Sequence, residues 1–187
     1  MKRIAILASG SGTNAENIVR RFADSPDIEV AAVITNRAHA GVIDRLRPYG
    51  IEVEYFGRDH WLNPEAVVER LQALRVDLVV LAGFLAIIRE PLLTAYCGRI
   101  VNIHPSLLPR HGGPGMYGDR VHQAVLQSGD TISGITIHLV DAGIDAGPIV
   151  EQHSLDVLPG DTPHSLAERI HVLEYAHYPE AIKRLLS

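Results

Sequence analysis

The chain has 187 residues, of which 47% are hydrophobic and 21% charged, with a net charge of −5 at neutral pH. That length suits a single domain spanning 1–187 with room for a proper core, and the acidic balance argues against a general nucleic-acid or anionic-membrane binder. One cysteine excludes an intrachain disulfide framework and fits a reducing, cytoplasmic setting, and no apolar run approaches the roughly 18 residues of a membrane span.

In chain order, RIAILA (3–8) reads as a strand buried on both faces. It is too short for a signal-peptide core and meets a glycine loop instead of a cleavage site. A helix follows over about 14–23, then the strand EVAAVIT (29–35), a helix around 41–47 and the strand IEVEYF (51–56). PEAVVERLQALR (64–75) has Pro at a first helical position and apolar residues at 67, 68, 71 and 74, which is helical spacing. VDLVVLAG (76–83) is a further buried strand, followed by a short helix at 90–96 and the strand RIVNIH (99–104). Cys97 reads as a helix-end residue packed on the core. Alternation of this kind predicts an α/β fold, a Rossmann-like open sheet, mainly parallel, with helices on both faces. The rhythm then changes. A helix at 118–128 precedes two successive strands, 131–140 and 148–157, which predicts antiparallel strands late in the chain, and a helix over 163–185 closes it.

Two places carry chemistry. Ser9-Gly10-Ser11-Gly12-Thr13-Asn14 follows the first strand and opens a helix, so its backbone N–H groups and the helix dipole suit an anion, most simply phosphate. The same loop formally fits a dinucleotide fingerprint, but the second strand ends Thr35-Asn36-Arg37 with no ribose-binding acid, so only an NADP-dependent oxidoreductase using Arg37 fits that pattern. The second place is NIHPSLLP (102–109). Asn102 and His104 share one face at the carboxyl end of a parallel strand, and Pro105 stops it. An amide beside an imidazole suits polarising a carbonyl and holding the oxyanion formed on attack. In the acidic loop 138–148, Asp145 or Asp141 could face this pair and raise the His104 pKa; equally, both aspartates could cap turns. His104, His138 and Asp145 could in principle bind a metal, but no metal-ligand spacing supports one, and no metal is expected.

SGSGTN, LAGF (81–84), NIHPSLLP and the later H-x6-D-x-G-P element, with HxxEYAHYP (171–179), resemble the phosphoribosylglycinamide formyltransferase family of folate-dependent formyltransferases, over about residues 2–183. The resemblance implies a purine-biosynthesis enzyme that moves a formyl group from 10-formyltetrahydrofolate to the amine of glycinamide ribonucleotide. It implies Asn102, His104 and Asp145 as the catalytic trio, with His138 in support. It places Gly12, Thr13 and Asn14 on the ribonucleotide phosphate and Glu174 near the amine. Leu85, Ala86, Ile87, Ile88, Asn102, Val140 and Asp141 would line the folate pocket. As a partner set it implies these two small molecules and a monomer or homodimer. Formyltetrahydrofolate hydrolysis shares the trio but leaves the phosphate loop without a use, and a tRNA formyltransferase expects a basic surface. This chain departs from the family pattern at Ala86 and at Asn63-Pro64, where arginines are common. RHGGPGMYGD (110–119) reads as a mobile cover on the substrate side, with Tyr117 and Arg110 as contacts.

Overall fold

The computed structural model describes residues 1–187. Seven strands, β1 Lys2–Leu7, β2 Ile28–Thr35, β3 Val53–Tyr55, β4 Leu78–Leu81, β5 Ile100–His104, β6 Ile132–Leu139 and β7 Ile149–Asp156, form one sheet in the order β3-β2-β1-β4-β5-β6-β7. The first five run parallel; β6 is antiparallel to β5, and β7 to β6. The expected architecture, parallel with antiparallel strands at the end, is what the chain adopts.

Alternation along β1 shows why both faces are covered. Ile4 and Ile6 belong to a core of 25 buried residues, while Ala5 and Leu7 belong to a second core of 15 on the other face. The helices are α1 Thr13–Phe22, α2 Gly41–Leu46, α3 Arg58–Leu62, α4 Glu65–Ala73, α5 Leu92–Ala95, α6 Asp119–Gln127 and α7 Pro163–Leu185. Ile18 of α1 and Leu166 and Ile170 of α7 close the larger core; Val67 and Leu71 of α4 and Leu92 of α5 close the smaller. α7 begins at a capping box, in which the Thr162 hydroxyl accepts from the Ser165 N–H and the Ser165 side chain accepts from the Thr162 N–H, with Pro163 in the first turn. At its far side the buried Tyr178 hydroxyl faces the carbonyls of Leu81 (2.8 Å) and Val101 (3.1 Å), joining α7 to β4 and β5.

Two local expectations change. Tyr96 takes the core position after α5 (2% exposed), so the chain turns outward and Cys97 is exposed, not packed on the core. α3 has no counterpart in the sequence reading; its Trp61 is buried and donates its indole N–H to Phe56 O at 2.7 Å.

The sheet order reverses at β1, with β2 and β3 on one side and β4 and β5 on the other. That switch leaves a crevice at the carboxyl ends of β1, β4 and β5. The loops that carry the candidate residues all open there.

Candidate active site

The floor at one end of the crevice is the loop 9–14. Gly12 is the N-cap of α1 with φ +78, and a Cβ there would lie 2.6 Å from the Val42 side chain, so only glycine fits both the backbone and the contact with α2. Arg45 Nε donates to Ser11 O at 2.7 Å, and its guanidinium also binds Glu16 at 2.8 Å. Ser9 Oγ donates to Asn36 (2.6 Å) and accepts from Leu85 N–H (2.8 Å), linking the β1 and β4 loops. The loop is thereby braced from below, with Gly12, Thr13 and Asn14 lining the crevice. Free N–H groups at the start of a 10-residue helix offer an anion site.

The centre is set by strand register. Asn102 pairs with His138 across the β5–β6 ladder and His104 pairs with Thr136, so all four side chains share one face. Asn102 Nδ2 and His138 Nε2 are 3.2 Å apart, and His138 Nδ1 is 2.9 Å from Leu139 O. A carbonyl can only accept, so His138 carries its proton on Nδ1 and its Nε2 receives the Asn102 amide. The Asn102 side chain is thereby fixed with its nitrogen known.

His104 is 4% exposed. Its Nε2 lies 2.8 Å from His111 O and must donate, which leaves Nδ1 towards Asp145 Oδ2 at 3.5 Å. Asp145 Oδ2 also accepts from Gly113 N–H (3.0 Å), and Oδ1 stands 3.7 Å from His138 Nε2. The carboxylate therefore faces both imidazoles, as the sequence reading asked of Asp145, while Asp141 caps its own turn by accepting from Gly143 N–H. The expected rise in the His104 pKa does not occur: burial pushes it below its ordinary 6.5, outweighing the attraction of Asp145 and the His111 carbonyl. At 3.5 Å the carboxylate does favour the charged ring, but the loss of water around so buried an imidazole is the larger effect.

Below the pair, a buried network holds the 105–109 turn. Thr136 Oγ1 donates to Ser106 O (2.6 Å) and accepts from Leu108 N–H (2.9 Å), and Gln152 Nε2 donates to Leu108 O (3.0 Å). The other end of the crevice is apolar. Leu85, Ile87 and Ile144 are exposed at its mouth, with Ile88 buried behind them and Phe84 tilted against Trp61. Ala86, Val140 and Asp141 complete that lining, and the cleft as a whole has a volume of about 560 Å³. Asn63 and Pro64 lie outside its lining, at the start of α4.

Glu174 of α7 forms the wall opposite. It is buried, accepts from Asn14 Nδ2 at 2.8 Å, and burial pushes its carboxyl up to about 7. His122 and His171 line the same wall; His171 opens the HxxEYAHYP element without having been given a role, and His122 was not singled out; burial lowers both, His122 to about 4. His122 Nδ1 and Asn14 Oδ1 are buried without a partner, which leaves polar atoms for a ligand to meet. The sequence held no signal for His122, while His171 stood at the head of an element whose only assigned role was that of Glu174.

Every candidate residue of the formyltransferase reading lines this one cleft except Arg110. Its guanidinium turns away to Asp130, which also binds His111 Nε2 at 2.7 Å. The segment read as a mobile cover is thus pinned at its near end by Asp130 and by Asp145, and only its far part, from Gly113 through Gly118, borders the cleft. Tyr117 is 44% exposed there, under the Arg120 guanidinium. Arg37 is absent from the cleft lining, which leaves the dinucleotide alternative without its phosphate partner.

An open sheet with an Asn–His pair at the end of β5 and a carboxylate behind it defines a class, and the chain belongs to the formyl transferase family, whose profile matches residues 2–182. It is 40% identical over 191 aligned residues to a phosphoribosylglycinamide formyltransferase of Bacillus subtilis, covering all of this chain and 95% of that protein. It is 35% identical to the trifunctional purine biosynthetic protein adenosine-3 of Drosophila melanogaster, again over the whole chain, but it spans only 14% of that protein. The crystal structure of glycinamide ribonucleotide transformylase 1 from Symbiobacterium toebii superposes with a TM-score of 0.86 at 42% identity, covering 97% of this chain and 86% of that one.

Proposed function

We propose that this chain transfers the formyl group of 10-formyltetrahydrofolate to the amine of glycinamide ribonucleotide, a step of purine biosynthesis. One observation carries the reading: Asn102, His104 and Asp145 meet midway along a cleft with a braced anion loop at one end and an apolar mouth at the other. The phosphate would sit on 12–14 and the pterin among Leu85–Ile88, Val140 and Asp141. The names of the Bacillus and Drosophila relatives support both the acceptor and the pathway.

The neutral amine attacks the formyl carbon; the new C–N bond forms as the carbonyl electrons move onto oxygen. Asn102 gives one amide hydrogen to His138 and has the other for that oxygen. His104 Nε2–H, held by the His111 carbonyl in the free protein, is the second donor once the formyl oxygen takes the carbonyl's place. Negative charge beside the ring raises its proton affinity; a proton taken from water at Nδ1 would meet Asp145 and return to water as the oxyanion collapses to the carbonyl. A water carries the amine proton to N10, the C–N10 bond breaks, and tetrahydrofolate leaves. No step calls for a metal. Mixing the chain with both substrates and following folate absorbance tests this. His104→Ala and Asp145→Asn should each lose roughly 10²–10³ in rate; full turnover by either correctly folded variant discards the assignment.

A further inference from the structure

Away from the cleft, Glu151 and His153 of β7 and His177 of α7 bring one carboxylate and two imidazoles together, each half-buried, with their ligating atoms all within 4.8 Å of one another. We propose that these three side chains form a binding site for a divalent transition cation of the Zn²⁺ class.

The three side chains lie within reach of one such ion, although one ring must turn to meet it. Bonds of about 2.0–2.1 Å to nitrogen and oxygen place tetrahedral ligands roughly 3.3 Å apart. Glu151 Oε1 and His153 Nε2 are already 3.2 Å apart. The His153 and His177 rings stack at 3.4 Å with an interplanar angle of 11°, so one ring has to swing out of the stack before both in-plane lone pairs can meet at a single ion. His153 already faces Glu151, which makes the His177 ring the one that turns. Arg184 binds Oε2 of Glu151, the other carboxylate oxygen, leaving Oε1 to the histidines and fixing the carboxylate's orientation.

The ligand types choose the ion. Two imidazoles with one carboxylate favour Zn²⁺, Co²⁺, Ni²⁺ or Cu²⁺ over Mg²⁺ and Ca²⁺, which prefer all-oxygen shells. Three protein ligands leave the fourth position to water. The residues come from two stiff elements, the edge strand β7 and a 23-residue helix, so little order has to be created on binding. A bound cation would fasten the sheet edge to α7, the same helix that carries His171 and Glu174 into the cleft. In the sequence the three ligands are invisible as a set: Glu151 and His153 share a strand face at i and i+2, and the third lies 24 positions further on.

Titrating Zn²⁺ into the full chain by calorimetry, and Co²⁺ with visible spectroscopy, tests this. The parent should bind one Zn²⁺ at a site lost in both His177→Gln and His153→Gln, with Kd weakened at least about tenfold, the loss of one good ligand. Co²⁺ should give the intense visible bands of a four-coordinate site in the parent and not in either variant. At a hundredfold excess over Kd, Zn²⁺ should raise the parent's Tm by about 5–10 °C and leave the variants' unchanged. Absence of saturable binding by the parent, or binding and Co²⁺ bands undiminished in both variants, overturns the site. Far-UV circular dichroism of the metal-free variants establishes that each is folded before it is titrated.

Discussion

Asn102 is a case where one side chain's state is decided by a neighbour's. His138 gives its only proton to Leu139 O and so obliges Asn102 to present its nitrogen, not its oxygen, on that side. Asn102→Ala removes the donor and should cost about 10²–10³ in kcat, with the KM for the ribonucleotide little changed, measured by steady-state assay. Gly147 is constrained differently: a Cβ there would sit 1.9 Å from Leu139 O, in the backbone that carries His138 and leads into the 140–147 loop. Gly147→Ala should destabilise the fold by about 1–3 kcal/mol in urea titration. The Asn–His pair was legible in the sequence because strand alternation and a following proline fix side-chain direction without tertiary knowledge. The protonation state of His104 was not, since it depends on how many distant atoms exclude water from the ring. Arg110 misled for a related reason: a flexible cation in a glycine-rich loop goes to a nearby carboxylate, here Asp130, which His111 also binds.

Among the elements, the loop before α1 shows how a helix end becomes a fixed anion cradle. Its glycine is required by packing as well as by φ, since α2 stands directly beneath it. Gly12→Ala should therefore raise the KM for the ribonucleotide by roughly ten- to a hundredfold, the 1–3 kcal/mol of a strained non-glycine residue, while the KM for the folate stays near its parent value. Equal increases in both constants would mean that the loop does not hold the phosphate. Long periodic elements were readable: α7 begins and ends where Pro163 and the apolar spacing place it. The five-residue α3 was missed because one turn and a half carries no period, and it exists to seat Trp61 against the smaller core. His122 escaped notice, and His171 went without a role, because nothing local distinguishes a cleft histidine from a solvated one.

For the molecule as a whole, the buried wall of the cleft should govern how stability responds to pH. Glu174 holds its proton to about pH 7 in the fold but only to its ordinary 4.5 when unfolded. Between those values the native chain binds the extra proton, so its contribution to stability declines as pH climbs from 4.5 to 7 and stays low above. His122 acts in reverse: its folded value of about 4 lies below its ordinary 6.5, so stability is lost as pH falls through that window. Glu174→Gln should match the parent below pH 4.5 and exceed it above pH 7, by at most on the order of 3 kcal/mol, in urea denaturation at the two pH values. A variant no more stable at pH 8 would mean the carboxyl is ionised without cost. The antiparallel turn of the sheet after β5 has a further bearing on how such a chain can vary. Because Asn102 faces His138 only through the pairing of two neighbouring ribbons, a residue gained or lost within either one would bring Ile137 or Leu139 opposite the amide. Additions in the stretch that joins them would leave that meeting intact, so length changes between descendants of this sequence should collect at 114–118, past the contacts of His111 and Gly113 with the site, and spare the ribbons themselves.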